Sequence, residues 1–332
     1  TVTGSSNAVT LDGSENMRPD WVWIKNRDSG SLGSQLHDVI RGTTKRLFSN
    51  STDAEETDAN GLTAFNSNGF IVGSNVGVNQ SSSNMVAWNW SAGGSAPAIT
   101  YSVKVVSDSG NKYRFDDFGT SAVTLDLQEG GTYTFDQSDS SNAGHPLRFY
   151  TASDKSGGEY TTGVTTSGTA GSSGAKTIIT ISASAPTLYY QCSNHAGMGG
   201  QANTNSTFGS SNFSGSIQSV ASANTTAGFS IVSYTGNATA GATIGHGLGV
   251  TPKWVIVKNR SNAQNWFIYH EGIGATKVIY LDLANASQTL TQGWNDTAPT
   301  SSVVYLGTEA GTNQSGANMI AYCFAEKKGY SK

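Results

Sequence analysis

The stretch Pro19-Asp20-Trp21-Val22-Trp23-Ile24-Lys25-Asn26-Arg27 occurs a second time as Pro252-Lys253-Trp254-Val255-Ile256-Val257-Lys258-Asn259-Arg260. The two copies begin at positions 19 and 252 and therefore lie 233 residues apart. Successive side chains of a β-strand point to opposite faces, so Trp21 and Trp23 share one face and Val22 and Ile24 the other. The repeat predicts equivalent buried strands around Trp21 and Trp254.

Further matches keep nearly the same spacing. The matched pairs are His37-Asp38 with His270-Glu271, Gly73 with Gly307, Asn79-Gln80-Ser81 with Asn313-Gln314-Ser315, Asn84-Met85 with Asn318-Met319, and Thr3-Gly4 with Thr235-Gly236. Self-similarity at a near-constant offset is typical of repeated modules. We predict one module over residues 1–94 and a second over 227–332, each a compact antiparallel β-sandwich.

The two modules differ at their openings. The second begins with a strand over Gly228–Val232, for which the first has no counterpart. The last residues, Gly329–Lys332, resemble that opening strand. We therefore expect the chain to be an excerpt, with a further module or tail following it.

The composition favours an all-β protein. Only 13% of the 332 residues are charged, whereas about 25% is usual, and there are 40 glycines. The 12 Phe, 13 Tyr and 7 Trp are enough to fill several small cores. The net charge of −4 and the lack of a basic stripe argue against nucleic-acid binding. No apolar run approaches the roughly 18 residues of a membrane span, so we expect no membrane insertion.

Residues 99–203 do not match the repeat and predict a separate β domain. The predicted strands are Tyr101–Val106, Val123–Leu127, Thr132–Phe135, Leu147–Tyr150, Thr177–Ile181 and Thr187–Cys192. The polar, Gly-rich and Ser-rich stretches Ser91–Ala98 and Gln201–Ala227 on either side are typical of linkers.

This middle domain carries a metal-ligand pattern. Cys192, His195 and Met198 form a Cys-x2-His-x2-Met motif at the end of a predicted strand, and His145 opens another strand 47 residues upstream. Two imidazoles, one thiolate and one thioether are the ligands of a blue-copper site. A strand-end cysteine followed by a short turn brings three ligands around one ion, while the upstream histidine arrives from a neighbouring strand. The sequence predicts a copper site at these four residues.

From Thr132 to Gly200 the chain resembles the small cupredoxins of the plastocyanin and amicyanin group, and its short ligand loop is most similar to that of amicyanin. The resemblance implies a Greek-key β-sandwich. One departure is Pro146, which occupies the position after the first histidine, where such proteins often have an N–H donor to the cysteine sulfur. A working copper site and a metal-free remnant with Cys192 buried both stay open.

Other candidate sites favour structure over chemistry. For the repeated His37-Asp38 pattern we prefer a structural hydrogen bond to an acid–base pair, because no nucleophile recurs beside it. Cys323 matches Asn89 and is expected to be a small buried side chain. Trp88 and Trp90 are candidates for a sugar-binding surface, but core packing is preferred for them. We find no catalytic motif and predict no enzyme.

The outer modules resemble repeats in tail-fibre and related virion proteins of marine bacteriophages. The residues behind this resemblance are Trp21–Arg27, Gly69-Phe70, Asn79–Ala87, Gly228–Gly236, Gly245–Gly249, Trp294–Thr297 and Ala321–Gly329. It implies a homo-oligomeric, trimeric fibre or spike on the virion surface that contacts other virion proteins and a host receptor or glycan. A secreted bacterial adhesin or filament subunit, and a copper-binding electron-transfer protein, are the alternatives.

Overall fold

The structure is a computed structural model that describes residues 4–94, 96–204 and 208–328. Strands make up 41% of it and helices 6%, which confirms the predicted all-β class. The chain divides into two compact units, one formed by 1–94 with 217–332 and the other by 95–216. The first unit therefore contains both repeated modules. No described helix is long and apolar enough to cross a membrane.

The first module is a sandwich of two antiparallel sheets. Its elements are β1 (Asn7–Thr10), β2 (Trp21–Asn26), β3 (Gln35–Asp38), β4 (Lys45–Phe48), β5 (Glu56–Thr57), β6 (Leu62–Asn66), β7 (Gly69–Val72), the short helix α1 (Val76–Asn79) and β8 (Met85–Trp90). One sheet has the order β1-β7-β6 and the other β5-β4-β3-β2-β8. As predicted, Val22 and Ile24 share a face, and this face packs on Phe70 and Val72 of the opposite sheet.

The middle unit is a second sandwich, with some parallel pairing. Its strands are β9 (Ala98–Ser107), β10 (Asn111–Phe115), β11 (Leu125–Asp126), β12 (Thr132–Asp136), β13 (Leu147–Tyr150), β14 (Val164–Ser167), β15 (Lys176–Thr180), β16 (Leu188–Cys192), β17 (Gln201–Asn203) and β18 (Ser210–Asn212). One sheet has the order β10-β9-β12-β15-β14 and the other β11-β17-β16-β13. The pairs β9–β12 and β11–β17 are parallel. An aromatic-rich core lies between the sheets.

The second module repeats the plan of the first. Its elements are β19 (Ser219–Asn224), β20 (Phe229–Thr235), β21 (Ala242–Gly245), β22 (Pro252–Asn259), β23 (Phe267–His270), β24 (Lys277–Tyr280), β25 (Gln288–Thr289), the helix α2 (Thr291–Trp294), β26 (Val303–Leu306), the helix α3 (Ala310–Asn313) and β27 (Asn318–Ala325). The large sheet contains β19-β20-β27-β22-β23-β24-β25, and β21 pairs with β26. Among the described residues of the first module, no strand is equivalent to β20.

Buried asparagine side chains at equivalent positions make the same hydrogen bonds within each module. Asn26 donates to the Gln80 side chain at 2.8 Å, and its repeat counterpart Asn259 donates to Gln314 at the same distance. Asn79 and Asn313 each donate to a backbone carbonyl six residues upstream, at 2.7 and 2.8 Å. Buried amides must be hydrogen-bonded to avoid a desolvation penalty. The conserved spacing of these asparagines between the two copies therefore reflects identical turn chemistry.

One sequence match is wrong in register. Val22 pairs with His37 across the strands, but the equivalent Val255 pairs with Tyr269, so His37 corresponds to Tyr269 and not to His270. The connection between the two paired strands is one residue shorter in the second copy, which shifts the alignment. The predicted structural hydrogen bond of His37 is present, from its ring to the Lys45 carbonyl at 3.0 Å.

The two modules pack against each other through the opposite face of β2. Trp21 stacks on Tyr322 with ring centres 4.4 Å apart and also contacts Phe229. Polar contacts surround the aromatic rings: Tyr322 donates to Asp38 at 2.7 Å, and Arg260 forms a bidentate pair with Glu55. The recurring aromatic residues Trp21, Tyr322 and Phe324 therefore contribute to the interface between the modules.

One of the two predicted linkers is wrong. The stretch Ser91–Ala98 is free of strands in its described part up to Ala98, where β9 begins, but the stretch from Gln201 to Ala227 contains β17, β18 and β19. Phe213 packs in the core of the middle unit. Ser and Asn, which suggested a flexible linker, form strands there because neighbouring strands satisfy their backbone. Thr3 and Gly329–Lys332, named above, lie outside the described residues.

Candidate metal centre

His145 is placed by a tight turn. A short 3-10 turn over Ser140–Asn142 precedes it, and its backbone N–H donates to the Asn142 carbonyl at 2.8 Å. Its own carbonyl accepts hydrogen bonds from the Tyr113 hydroxyl at 2.8 Å and from the Gln137 amide at 2.9 Å. The backbone of His145 is therefore fixed from both sides before β13 begins.

Cys192 ends β16, and β16 pairs with β13 so that Leu147 lies opposite Cys192. This register brings His145, two residues before Leu147, next to the cysteine. The Cys192 side chain is fully buried in the apolar core of the unit. The upstream histidine reaches the cysteine from the turn that leads into the neighbouring strand β13, whereas the sequence predicted that His145 itself opens that strand.

The loop after Cys192 is fastened at several points. Ser193 donates to the Pro146 carbonyl at 3.0 Å, and the Asn194 side chain donates to the Gly144 carbonyl at 2.9 Å. Lys155 donates to the carbonyls of Cys192 and Ser193, both at 3.2 Å. These contacts tie the loop to the turn that carries His145, so the two ligand-bearing segments are held as one piece.

Three of the four predicted ligands converge. The Cys192 Sγ atom lies 3.8 Å from His145 Nδ1 and 3.5 Å from His195 Nδ1, and the two imidazole ring centres are 4.6 Å apart. One ligand atom from each residue lies within 4.8 Å of the others. Met198, the fourth predicted ligand, is buried in the same apolar cluster as Cys192. The distances leave space between the three donor atoms for one ion.

The site favours unprotonated ligands. His145 is half-buried, and burial followed by the nearby His195 lowers the pKa of His145 below its usual value of 6.5. A neutral imidazole has a free lone pair for a metal. His195 is exposed, whereas Cys192 is buried, so the site has one solvent-facing edge and one apolar side.

The donor set fits copper. A His₂Cys set with a thioether nearby suits copper, because thiolate and thioether are soft ligands and imidazole binds copper well. The same two imidazoles and thiolate also suit zinc, which lacks a preference for the thioether. The chemistry of these side chains therefore agrees with the copper prediction and defines zinc as its competitor.

Strand β10 is a part of the site that the sequence interpretation missed. Asn111 lies 3.4 Å from the outer nitrogen of His145, and Lys112 donates to the Gly197 carbonyl. The backbone N–H of Tyr113 donates to the Met198 carbonyl at 2.9 Å. The signal in the sequence was the alternation of polar and aromatic residues over Asn111–Phe115, which is typical of a strand with one buried face.

The other candidate residues fall elsewhere. Cys323 is buried as predicted, in the core of the second module, and burial raises its pKa to about 12. Trp88 is 48% exposed, whereas Trp90 is partly covered and packs on Trp21. His270 is exposed and accepts a hydrogen bond from Gly272.

Comparison with known proteins identifies a family. A family model described as "Domain of unknown function (DUF7483)" matches residues 1–116 and 191–332. The chain belongs to this family, because the match covers more than half of its length. The matched residues include Cys192, His195 and Met198, whereas His145 lies in the unmatched segment. No curated protein and no solved structure matches the chain.

Proposed function

We propose that this protein is a structural and adhesive surface protein, of the bacteriophage tail-fibre or virion-decoration kind, whose middle unit binds one copper ion. The observation that carries the metal assignment is the convergence of His145, Cys192 and His195 on a common point. The cupredoxin resemblance adds Met198 as the fourth ligand. A copper ion held there would take up and release one electron between its two common oxidation states.

The residues of the chain explain how the ligands would be presented. Cys192 is fixed by the β13–β16 ladder, and its buried side chain keeps water from one side of the ion. His195 lies on an exposed loop, which provides the entry path for the metal. Because protons compete with the metal for His145 and His195, copper should be lost as pH falls.

The metal assignment is tested by adding Cu(II) to the purified protein and recording a visible spectrum. We expect an intense copper–thiolate band and one retained copper after dialysis. Cys192→Ser should abolish the band, and Met198→Leu should shift the reduction potential while the colour largely remains. Cys323→Ser is the matched control, since it alters the other buried cysteine and should leave the band unchanged. If the protein shows neither the band nor any retained copper, the metal assignment is wrong and the histidine and cysteine cluster is a structural remnant.

The surface role is supported by the repeat and by the weakly charged surface composition. Two copies of one sandwich packed together build a rigid body from a single module type, as fibre proteins commonly do. We propose a homo-oligomer, a trimer by analogy with phage fibres, that contacts other virion proteins and a host receptor or glycan at the virion surface, with no enzymatic activity. A stable monomer in light scattering, or failure to bind host cells, would contradict this role.

Two alternatives are tested by the same measurements. A secreted bacterial adhesin or filament subunit predicts oligomers and cell binding without a virion. A copper-binding electron-transfer protein is favoured by one observation, the exposed edge of the site at His195, through which an electron could pass. Rapid reduction of the copper-loaded protein by a small redox protein, without any oligomer, would favour this last function.

A further inference from the structure

The interface between the two modules uses a different surface on each of them. The first module contributes Trp21 and the end of β4 with the loop after it, where the Phe48 and Thr52 carbonyls accept hydrogen bonds from the second module, both at 2.8 Å. We call this the loop surface. The second module contributes Tyr322 of β27, which stacks on Trp21, and Lys258 near the end of β22. We call this the strand surface. Because the two copies of one module join through unlike surfaces, the contact is heterologous.

The strand surface of the first module is open to solvent. Trp88 of β8 pairs with Trp23 across the strands. Tyr322 pairs with Ile256 at the equivalent position, so Trp88 is the counterpart of Tyr322. Tyr322 is fully buried, whereas Trp88 is 48% exposed and contacts Trp23 at its edge. The ring that the first module covers in the second module is therefore uncovered in the first.

Basic side chains of the two strand surfaces show the same contrast. Arg260 forms its bidentate pair with Glu55 of the first module, whereas its counterpart Arg27 is exposed. Lys258 is fully buried, whereas its counterpart Lys25 is half-buried. The strand surface of the first module thus keeps the aromatic and basic side chains that form the contact in the second module.

The loop surface of the second module is open as well. Tyr280, which ends β24, is the counterpart of Phe48 by strand pairing. The loop that follows Tyr280 contains Leu283, which is 41% exposed. Trp21 is buried in the interface, whereas its counterpart Trp254 is half-buried. The chain therefore presents one unused copy of each of the two surfaces that hold its modules together.

We propose that the strand surface of the first module binds the loop surface of the second module in a second copy of this chain, with Trp88 packed against Trp254. Trp88 and Leu283 lie on these two surfaces, and they are two of the four large apolar side chains that are exposed in the described part of the chain. Because the contact is heterologous, copies join head to tail into a closed ring or an open filament. The inference rests on the proposed homo-oligomer and assigns the surfaces through which its copies join.

The test uses two charge variants of the full chain, Trp88→Glu on the strand surface and Leu283→Glu on the loop surface. In analytical ultracentrifugation the wild type should associate, and each variant alone should have the mass of one chain, because one half of every contact is blocked. A mixture of equal amounts should have the mass of two chains, since the Leu283→Glu chain keeps its strand surface and the Trp88→Glu chain keeps its loop surface. Thr63→Glu is the matched control, because it places the same charge at an exposed position of β6, in the opposite sheet of the first module, and should associate like the wild type.

Urea unfolding of each variant separates lost association from a lost fold. If Trp88→Glu does not fold, Arg27→Glu replaces it at an exposed position of the same surface. A wild type that is monomeric would contradict the proposed homo-oligomer and the inference together. If the wild type associates but the folded variants still self-associate, or their mixture stays monomeric, only the assigned surfaces are wrong. If Trp88→Glu associates like the wild type and instead loses binding to host cells, Trp88 serves a receptor or glycan and the inference is equally overturned.

Discussion

At the scale of single residues, the two repeated tryptophans have diverged in burial. Trp21 is 1% exposed and is covered by aromatic rings of the second module, whereas its counterpart Trp254 is half-buried and stacks on Phe324 at 4.7 Å. The predicted equivalence of their strands is confirmed, but equal burial of the two side chains is wrong. The difference follows from the packing of the modules, which covers one copy more completely than the other.

This difference gives a matched pair of substitutions. Trp21→Ala should cost about 3–5 kcal/mol of unfolding free energy, the usual cost of truncating a buried tryptophan. Trp254→Ala should cost clearly less, because part of its ring already contacts water. Urea unfolding of both variants beside the wild type measures the two losses. Equal losses would show that the interface does not bury Trp21 as described.

His37 should make the two-module unit sensitive to mild acid. It is fully buried, and burial followed by the charge of Arg41 lowers its pKa from 6.5 to about 3. Above pH 6.5 the histidine is neutral in both folded and unfolded chains, so its contribution to stability is complete. As pH falls below 6.5 the unfolded chain binds the proton first, and stability is lost progressively until about pH 3.

The expected loss from His37 between pH 7 and pH 5 is about 2 kcal/mol. His37→Gln cannot titrate and keeps a donor for the Lys45 carbonyl, so this variant should lose less stability over the same interval. Buried His246, whose pKa is also lowered, is present in both proteins and cancels in the comparison. If the free energy of unfolding depends on pH identically in the wild type and the variant, His37 is not responsible for the loss of stability in mild acid.

At the scale of elements, β8 and β27 show what one additional strand does. They are repeat equivalents, but β27 lies between β20 and β22, whereas β8 is the last strand of its sheet. Most of β27 is accordingly buried, and all described residues of β8 are half-buried or exposed. Strand β20 also supplies Val232 and Tyr234 to the core of the second module. Pairing with β20 as well as β22 therefore accounts for the greater burial of β27.

Alternation and repetition made the main strands predictable. Strand β2 and its repeat equivalent β22 each have an apolar face, and the match between the two copies supports the same prediction of a buried strand for both. Strand β10 was missed because Asn111, Lys112 and Arg114 conceal an aromatic face formed by Tyr113 and Phe115. Strand β19 was taken for a linker because its Ser, Ala and Asn residues have little strand preference by themselves. Pairing with β20, which is a tertiary contact, determines that strand.

The convergence of His145, Cys192 and His195 was predictable for a different reason. The spacing of Cys192, His195 and Met198 is local, and the chemistry of the side chains limits which ion they would suit. The hydrogen bond from Tyr113 to the His145 carbonyl was not predictable, because 32 residues separate the two and the placement of Tyr113 depends on the pairing of β9 with β10. Local motifs reveal ligands, whereas the groups that orient those ligands come from distant strands.

At the scale of the whole molecule, the two modules behave as one body because their interface contains buried charge. Arg41 and Asp38 form a fully buried ion pair, and Tyr322 of the other module donates to the same carboxylate. Leaving such a charge without its partners is strongly destabilising, by about 3–5 kcal/mol. The modules are therefore matched to each other by specific polar contacts as well as by apolar area.

The middle unit should be removable from this body. Among the described residues, the core clusters of the two modules contain none from 95–216, and the core cluster of the middle unit contains only residues within that range. The chain that ends at Gly94 lies beside β19, because the Ser222 hydroxyl donates to the Ala92 carbonyl and Gly93 closely approaches Ala223. Ile217 lies five residues before Ser222, so a Gly-Ser linker of about eight residues is long enough to join Gly94 to Ile217. The excised chain should unfold in urea with a free energy within about 1 kcal/mol of the same transition in the full chain, since loop length changes closure entropy only slowly.

The excised chain should show no copper–thiolate band, while residues 95–216 expressed alone should retain it. Aggregation of the excised chain, or a copper band in it, would mean that the two units do not fold independently.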